Sequence, residues 1–348
     1  MSIVLTILTR NVEKVNRTEA MTPMRKRARA FRLAVLLLAV AGMAAGTVGA
    51  TANDTKLALV AYSTPREAYA KLLPAFQATP AGENVSFSQS YAGSGDQSRA
   101  ILAGLPADVV EFSNEPDMTA LVTAGIVSKG WNRGPYHGFA TDSVVVFVVR
   151  NGNPKHIKSW SDLVRPGIQV ITPNPFDSGG GQWNVAAAYG AQLKLGKKPA
   201  EAVAYLQKLF KNVAVQDKSA RDALNTFLSG KGDVLLTYEN EAWLAQHKGQ
   251  PVFYTIPRST ILIQNPIAIT NGKNQSAARA FLRYLYTPSA QTIFGQTGYR
   301  PVVPSVAKKF GYPARPGIFP IGFLGGWDKV TKQLFDPKSG VMAKIERG

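Results

Sequence analysis

Three stretches of this chain read as a strand, a turn of small residues and then the start of a helix. They are Gly93-Ser94-Gly95, Ser178-Gly179-Gly180-Gly181 ahead of Trp183, and Ser219-Ala220-Arg221 ahead of a helical run over 222–228. A chain that passes repeatedly from strand straight into helix is restricted to an α/β design with a largely parallel sheet. The remaining pattern agrees. Strands are expected over 56–62, 85–90, 107–112, 143–149, 170–172, 233–237, 252–256 and 260–269. Helices are expected over 66–76, where Pro65 suits a first turn, and over 96–102, 159–163, 183–195, 200–210 and 277–285. No internal repeat or low-complexity linker interrupts this order, and the proline- and glycine-rich C-terminal stretch carries no clear period.

The same three loops have a chemical property in common. A helix N-terminus leaves backbone N–H groups unpaired, and with the helix dipole these form an anion site. Glycine admits an oxyanion close to the backbone, and serine adds a rotatable hydroxyl donor. One such loop is an ordinary turn. Three of them define a binding site only if they converge in space.

Charge and processing signals narrow the class. Of the formal +18, residues 1–50 hold eight Lys/Arg against two Glu, hence +6, and the remainder keeps +12. The remaining cations are scattered, with pairs such as Lys197-Lys198 rather than a run, and no basic stripe interleaved with aromatic residues appears. That argues against a nucleic-acid partner and for a basic surface that concentrates small anions. Arg25-Lys26-Arg27-Ala28-Arg29, the apolar stretch 33–48 and the small residues Val48-Gly49-Ala50 form a secretory signal pattern with cleavage expected near Ala50. The alternative is an uncleaved anchor. Residues 1–20 fit no signal design, so translation is expected to start at Met21 or Met24, and the mature chain near Thr51. A soluble exported product, hence periplasmic, is expected. Cysteine is absent, which excludes disulfides, thiolate metal sites and a cysteine nucleophile, and three histidines (His137, His156, His247) make a zinc enzyme a poor fit.

Two enzyme readings compete. Asp177-Ser178-Gly179-Gly180 is similar to the nucleophile segment of chymotrypsin-like proteases, but Phe176 precedes it instead of glycine and no histidine has a supporting motif. An exported hydrolase using Ser178 is therefore the distant alternative. Gly93-Ser94-Gly95-Asp96-Gln97-Ser98 narrowly misses a dinucleotide fingerprint, with Ser98 where the last glycine belongs.

Taken in order, the motifs resemble the bacterial periplasmic sulfate-binding proteins over about residues 55–330. The matching segments are Tyr62 to Tyr69, Gly93-Ser94-Gly95, Ala107-Asp108-Val109-Val110 and the run from Val146 to Lys155. Ile171-Thr172-Pro173-Asn174-Pro175, Ser178-Gly179-Gly180 with Trp183-Asn184, and Ser219-Ala220-Arg221 with Asn225-Thr226-Phe227 follow. Gly232-Asp233-Val234-Leu235, Glu239-Asn240-Glu241-Ala242 and Tyr299-Arg300-Pro301 complete the set. The resemblance implies a two-lobed type II periplasmic binding protein, with mixed β-sheets flanked by helices and the ligand in the interlobe cleft. On this reading lobe 1 comprises 51–144 with 258–348 and lobe 2 comprises 145–257, with crossovers near 143–149 and 257–264.

The implied function is capture of sulfate, or thiosulfate, for delivery to an ABC importer permease, by a monomer that is not an enzyme and needs no cofactor or metal. A carrier for another tetrahedral oxyanion such as molybdate is the nearer alternative. By the same resemblance Ser94, Ser178, Gly179, Gly180, Ala220 and Tyr238 contact the anion, and Arg221 stiffens the loops without touching it. Family members often present an indole N–H where Tyr238 stands. Asp177 should point away, since an inward carboxylate would repel a dianion.

Overall fold

The computed structural model describes residues 55–312 and 317–347; the expected signal segment and the cleavage site near Ala50 lie outside them. From the N-terminus the elements are β1 (Thr55–Tyr62), α1 (Arg66–Gln77), β2 (Val85–Ala92), α2 (Ser94–Leu102), β3 (Val109–Glu111), α3 (Glu115–Thr123) and β4 (Phe139–Arg150). Then come β5 (Val170–Pro173), α4 (Gly179–Lys194), α5 (Pro199–Lys211), β6 (Val213–Asp217), α6 (Ala220–Leu228), β7 (Val234–Tyr238) and α7 (Glu239–His247). The chain continues with β8 (Val252–Thr255), β9 (Thr260–Ile269), α8 (Gln275–Leu285), α9 (Pro288–Gly295) and the short C-terminal pieces β10 (Arg300–Pro301), α10 (Pro304–Phe310) and β11 (Ile318–Phe319).

The strands run in the order β2-β1-β3-β9-β4-β7-β5-β6. β2, β1 and β3 are parallel, and β9 closes that group antiparallel to β3. β6, β5 and β7 form a second parallel group, and β4 closes it antiparallel to β7. This is a two-lobed fold, with β4 and β9 paired to each other where the groups meet (Asp142 to Val144 against Gln264 to Leu262). β4 serves both groups because its middle, Val144 to Val149, is buried on both faces, as a run of β-branched residues and phenylalanine favours.

Each parallel group is covered on both sides. Tyr69, Leu72 and Phe76 of α1 meet Phe281 of α8 and Phe294 of α9 over one face of the first group, while Ile101, Met118 and Leu121 fill the other. In the second group α4 and α5 cover one face, and Ala223, Leu224 and Phe227 of α6 with Ala242 and Ala245 of α7 cover the opposite one.

Residues beyond Ile318 put Phe319, Leu324, Trp327, Leu334, Phe335 and Met342 into the core that holds α4 and α5 side chains together with Tyr62, Ile261 and Ile263. The reason is the small-residue surface of α4. A Cβ at Gly190 would stand 2.4 Å from the Phe319 ring, so only glycine admits the tail this closely.

Helix starts also moved. α4 begins at Gly179 rather than Trp183, because Ser178 caps it by accepting the Gly180 N–H at 3.2 Å; the glycines' poor helix propensity hides this from a sequence reading. α2 starts at Ser94 and α6 at Ala220, each two residues earlier than expected.

Candidate binding site

In parallel groups the strands deliver their carboxyl ends, and the helix N-termini that follow them, to one edge, where ligands of open α/β sheets bind. Here the edges of the two groups face one another. The Gly95 N–H donates to the Asp177 carbonyl at 3.2 Å, joining the β2–α2 turn to the β5–α4 loop. A Cβ at Gly93 would lie 2.7 Å from the Lys218 carbonyl and 2.8 Å from that of Asp177, so this glycine lets all three loops meet. A Cβ at Gly179 would stand 2.5 Å from Ser113 Oγ, and one at Gly180 would stand 2.9 Å from the Tyr238 ring. Ser94, Ser178, Gly179, Gly180, Ala220 and Tyr238 are all buried. The three loops picked out from sequence therefore converge.

The side chains there are already organised. Ser94 Oγ donates to Asp117 Oδ2 at 2.5 Å and accepts the Ser113 N–H at 3.0 Å. Its hydroxyl proton, expected to be a free donor, is engaged. Ser178 Oγ accepts from Gly180 N–H and keeps its own proton. Tyr238 Oη lies 2.5 Å from Ser113 Oγ. Burial pushes its phenol upward, outweighing the opposing Ser113 bond, so it stays a protonated hydroxyl.

Arg221 is the cation nearest these loops by sequence, and carboxylates and a carbonyl take up its guanidinium. Nε and Nη2 donate to Glu241 at 2.7 Å each, and Nη1 and Nη2 donate to Glu67 at 2.7 Å each. Nη2 also reaches the Thr64 carbonyl at 3.4 Å. Burial would lower its pKa, but the two acids raise it. Asp177 turns outward as expected, pairing with Arg99 at 3.1 Å with both side chains exposed. Asp117 is the carboxylate behind the Ser94 turn. Burial pushes it up to about 6, against the opposing Ser94 bond.

Sequence reasoning missed Ser113, Asn114 and the β3–α3 junction that carries them. Asn114 caps α3, its Nδ2 donates to Gln182 Oε1 at 2.7 Å, and the Ser113 carbonyl accepts the Trp183 indole N–H at 2.8 Å. The signal was there: Ser113-Asn114-Glu115-Pro116-Asp117 follows a strand and combines a cap residue, proline and first-turn acids. No group of three or more histidine, aspartate and glutamate side chains that could hold a metal occurs among the described residues, and none of their helices is long and apolar enough to cross a membrane.

Residues 57–300 match the profile of the bacterial extracellular solute-binding proteins. A sulfate-binding protein of Synechococcus elongatus is 38% identical over 313 residues, covering 86% of this chain and 89% of that one. The chain belongs to the bacterial sulfate-binding protein family. A thiosulfate-binding protein of Pseudomonas aeruginosa is 36% identical, covering 87% of this chain and 96% of its own. The sulfate-binding protein SubI of Mycobacterium tuberculosis H37Rv superposes with a TM-score of 0.79 at 43% identity, covering 81% of this chain and all of that one. As a sulfate-binding protein family member this is an extracytoplasmic solute-binding protein of an ABC importer, and the relatives it matches are binding proteins rather than enzymes.

Proposed function

We propose that this protein captures sulfate between its lobes at Ser94, Ser178, Gly179, Gly180, Ala220 and Tyr238, and hands it to the permease. The convergence of three helix N-termini on one buried spot, with Arg221 fully engaged by acids, is the observation that carries this reading. Sulfate is fully ionised at neutral pH and only accepts hydrogen bonds, so a nest of donors suits it. Hydrogen phosphate keeps a proton that would face N–H groups, a mismatch costing about 1–3 kcal/mol. Each charge-assisted bond contributes about 1.5–3 kcal/mol before the ion's desolvation is subtracted, so several are required, from both lobes. Closure supplies them together and excludes water.

Thiosulfate is the second ligand we assign, on the likeness to the thiosulfate-binding relative. We place lobe 1 at 51–144 with the segment from 258 to α10, and lobe 2 at 145–257 with the tail beyond Ile318, on the packing of that tail. The protein acts as a periplasmic monomer after loss of residues 1–50; N-terminal sequencing of the exported form is expected to begin near Thr51.

Calorimetry with sulfate, thiosulfate, molybdate and phosphate at pH 7 tests the ligand. Sulfate is expected to bind and phosphate not. Phosphate binding as tightly as sulfate overturns the donor-only site, and a molybdate preference transfers the reading to that anion.

A further inference from the structure

The Ser113–Tyr238 contact carries more than a link between lobes. Two hydroxyls hold two protons, and one hydrogen bond between them uses one. The second proton has no acceptor among the described residues, although both side chains are buried. A buried donor left without an acceptor is costly, which marks the spot where an acceptor belongs. That spot adjoins the anion loops: a Cβ at Gly180 would be 3.2 Å from Tyr238 Oη, and the Ser113 N–H is bonded to Ser94 Oγ. The Ser113 peptide is pinned as well, since its carbonyl accepts from Trp183 Nε1 at 2.8 Å and from Asn265 Nδ2 at 3.0 Å. The backbone is thus fixed while the two O–H groups can still turn.

Building on the sulfate reading above, we infer that Ser113 is a ligand-binding residue, and that Ser113 and Tyr238 together present one adaptable O–H donor to the anion. Either oxygen can donate to the other, so either can supply the outward proton. When Ser113 donates inward, Tyr238 faces the anion; when Tyr238 donates inward, Ser113 does. An indole N–H at position 238 would offer one fixed donor and would have no use for a hydroxyl at 113.

The shared donor predicts redundancy, which a double-mutant cycle reads directly. Sulfate dissociation constants are measured by calorimetry for the wild type, Ser113→Ala, Tyr238→Phe and the double variant. Each single variant frees the surviving hydroxyl for the anion and is expected to lose less than about threefold. The double variant is expected to lose about 10- to 100-fold, the worth of one charge-assisted bond, and so to exceed the product of the singles. Ser113→Thr combined with Tyr238→Phe keeps one hydroxyl and is expected to bind like Tyr238→Phe alone. Melting curves with and without saturating sulfate report the same ranking and show that each variant is folded. A double variant no weaker than the product of the singles overturns the shared donor while leaving the sulfate reading intact. A folded wild type that binds no sulfate overturns both.

Discussion

Arg221 of α6 and Glu67 of α1 are joined by two parallel hydrogen bonds of 2.7 Å, across a sequence separation of 154 residues and from one lobe to the other. The opposite edge of the same guanidinium holds Glu241, which is fully buried. The two acids therefore differ in what they risk. Burial pushes Glu67 up, but the bonds and charge of Arg221 outweigh it and hold its carboxyl below the usual range. Burial dominates at Glu241 and keeps it raised despite Arg221.

Replacing the arginine should thus cost far more than replacing the outer acid. Arg221→Met leaves Glu241 as an uncompensated buried charge, and a loss of about 3–5 kcal/mol in denaturant unfolding is expected. Glu67→Gln removes only a half-exposed partner. It is expected to cost less than about 1 kcal/mol of stability and to act mainly on ligand affinity, because the lost contact spans the lobes. Equal destabilisation by the two variants would contradict this division.

Gly179→Ala tests how tightly the lobes close. The added methyl would sit 2.5 Å from Ser113 Oγ and 2.8 Å from Asn114 Nδ2, both on the opposing lobe. Lobe separation relieves that clash, so the fold should survive and closure should suffer. Calorimetry is expected to show sulfate affinity about 10- to 100-fold weaker, as overpacking by one methyl implies, with little change in melting temperature. Unchanged affinity would remove this loop from the site.

Asp117 gives binding a pH dependence. Its pKa of about 6 belongs to the carboxyl that accepts from Ser94. A dianion held at the same turn repels the ionised form, so binding raises that pKa and takes up a proton. By linkage, sulfate affinity should rise as pH falls toward about 6 from above, over the window between the raised bound value and the free one, and level off below it. Asp117→Asn should flatten the profile when affinity is measured from pH 5 to 8. A profile that is flat in the wild type would show that this carboxyl does not sense the ligand.

Glu111 makes the opposite kind of prediction, about stability. It is fully buried, Tyr69 donates to one of its oxygens, and the other has no partner among the described residues. Burial pushes it up to about 8 from an ordinary 4.5, with the Tyr69 bond opposing. Between those values the folded chain holds a proton that the unfolded chain releases. Stability should therefore fall as pH rises through that window, by at most about 1.4 kcal/mol per unit from this group. Glu111→Gln should remove that slope from the pH dependence of urea unfolding; an unchanged slope would assign it elsewhere.

The fold was legible where local chemistry and tertiary packing agree. The valine run of β4 could only be a buried strand, and the β9 boundaries 260–269 were read without error. It was illegible where packing overrides propensity. The start of α4 is three successive glycines, which on their own would not hold a helix; Ser178 capping and the close approach of Ser113 and Tyr238 make them helical. β6 was missed because Val213 to Asp217 is short and only half-buried, and α7 because its buried face includes Glu239 and Glu241, whose burial depends on arginines distant in sequence. The site followed the same rule. Loops with glycine and serine advertised themselves, whereas Ser113 needed the geometry of Tyr238, 125 residues away, to declare a role.

The antiparallel pairing of β4 with β9 also dictates when the molecule can become itself. β3 finds its second strand neighbour in Ile267 to Ile269, and the Phe139 to Val144 half of β4 finds its partners in Leu262 to Pro266 and in Arg300-Pro301. A nascent chain stopped before Thr260 is left with unsatisfied backbone edges on β3 and on the first half of β4, however good its local helices are. Synthesis must therefore pass Thr260 before the group that contains β3 can close, whereas every strand of the second group has emerged by Thr255, so the N-terminal group is the later of the two to be completed.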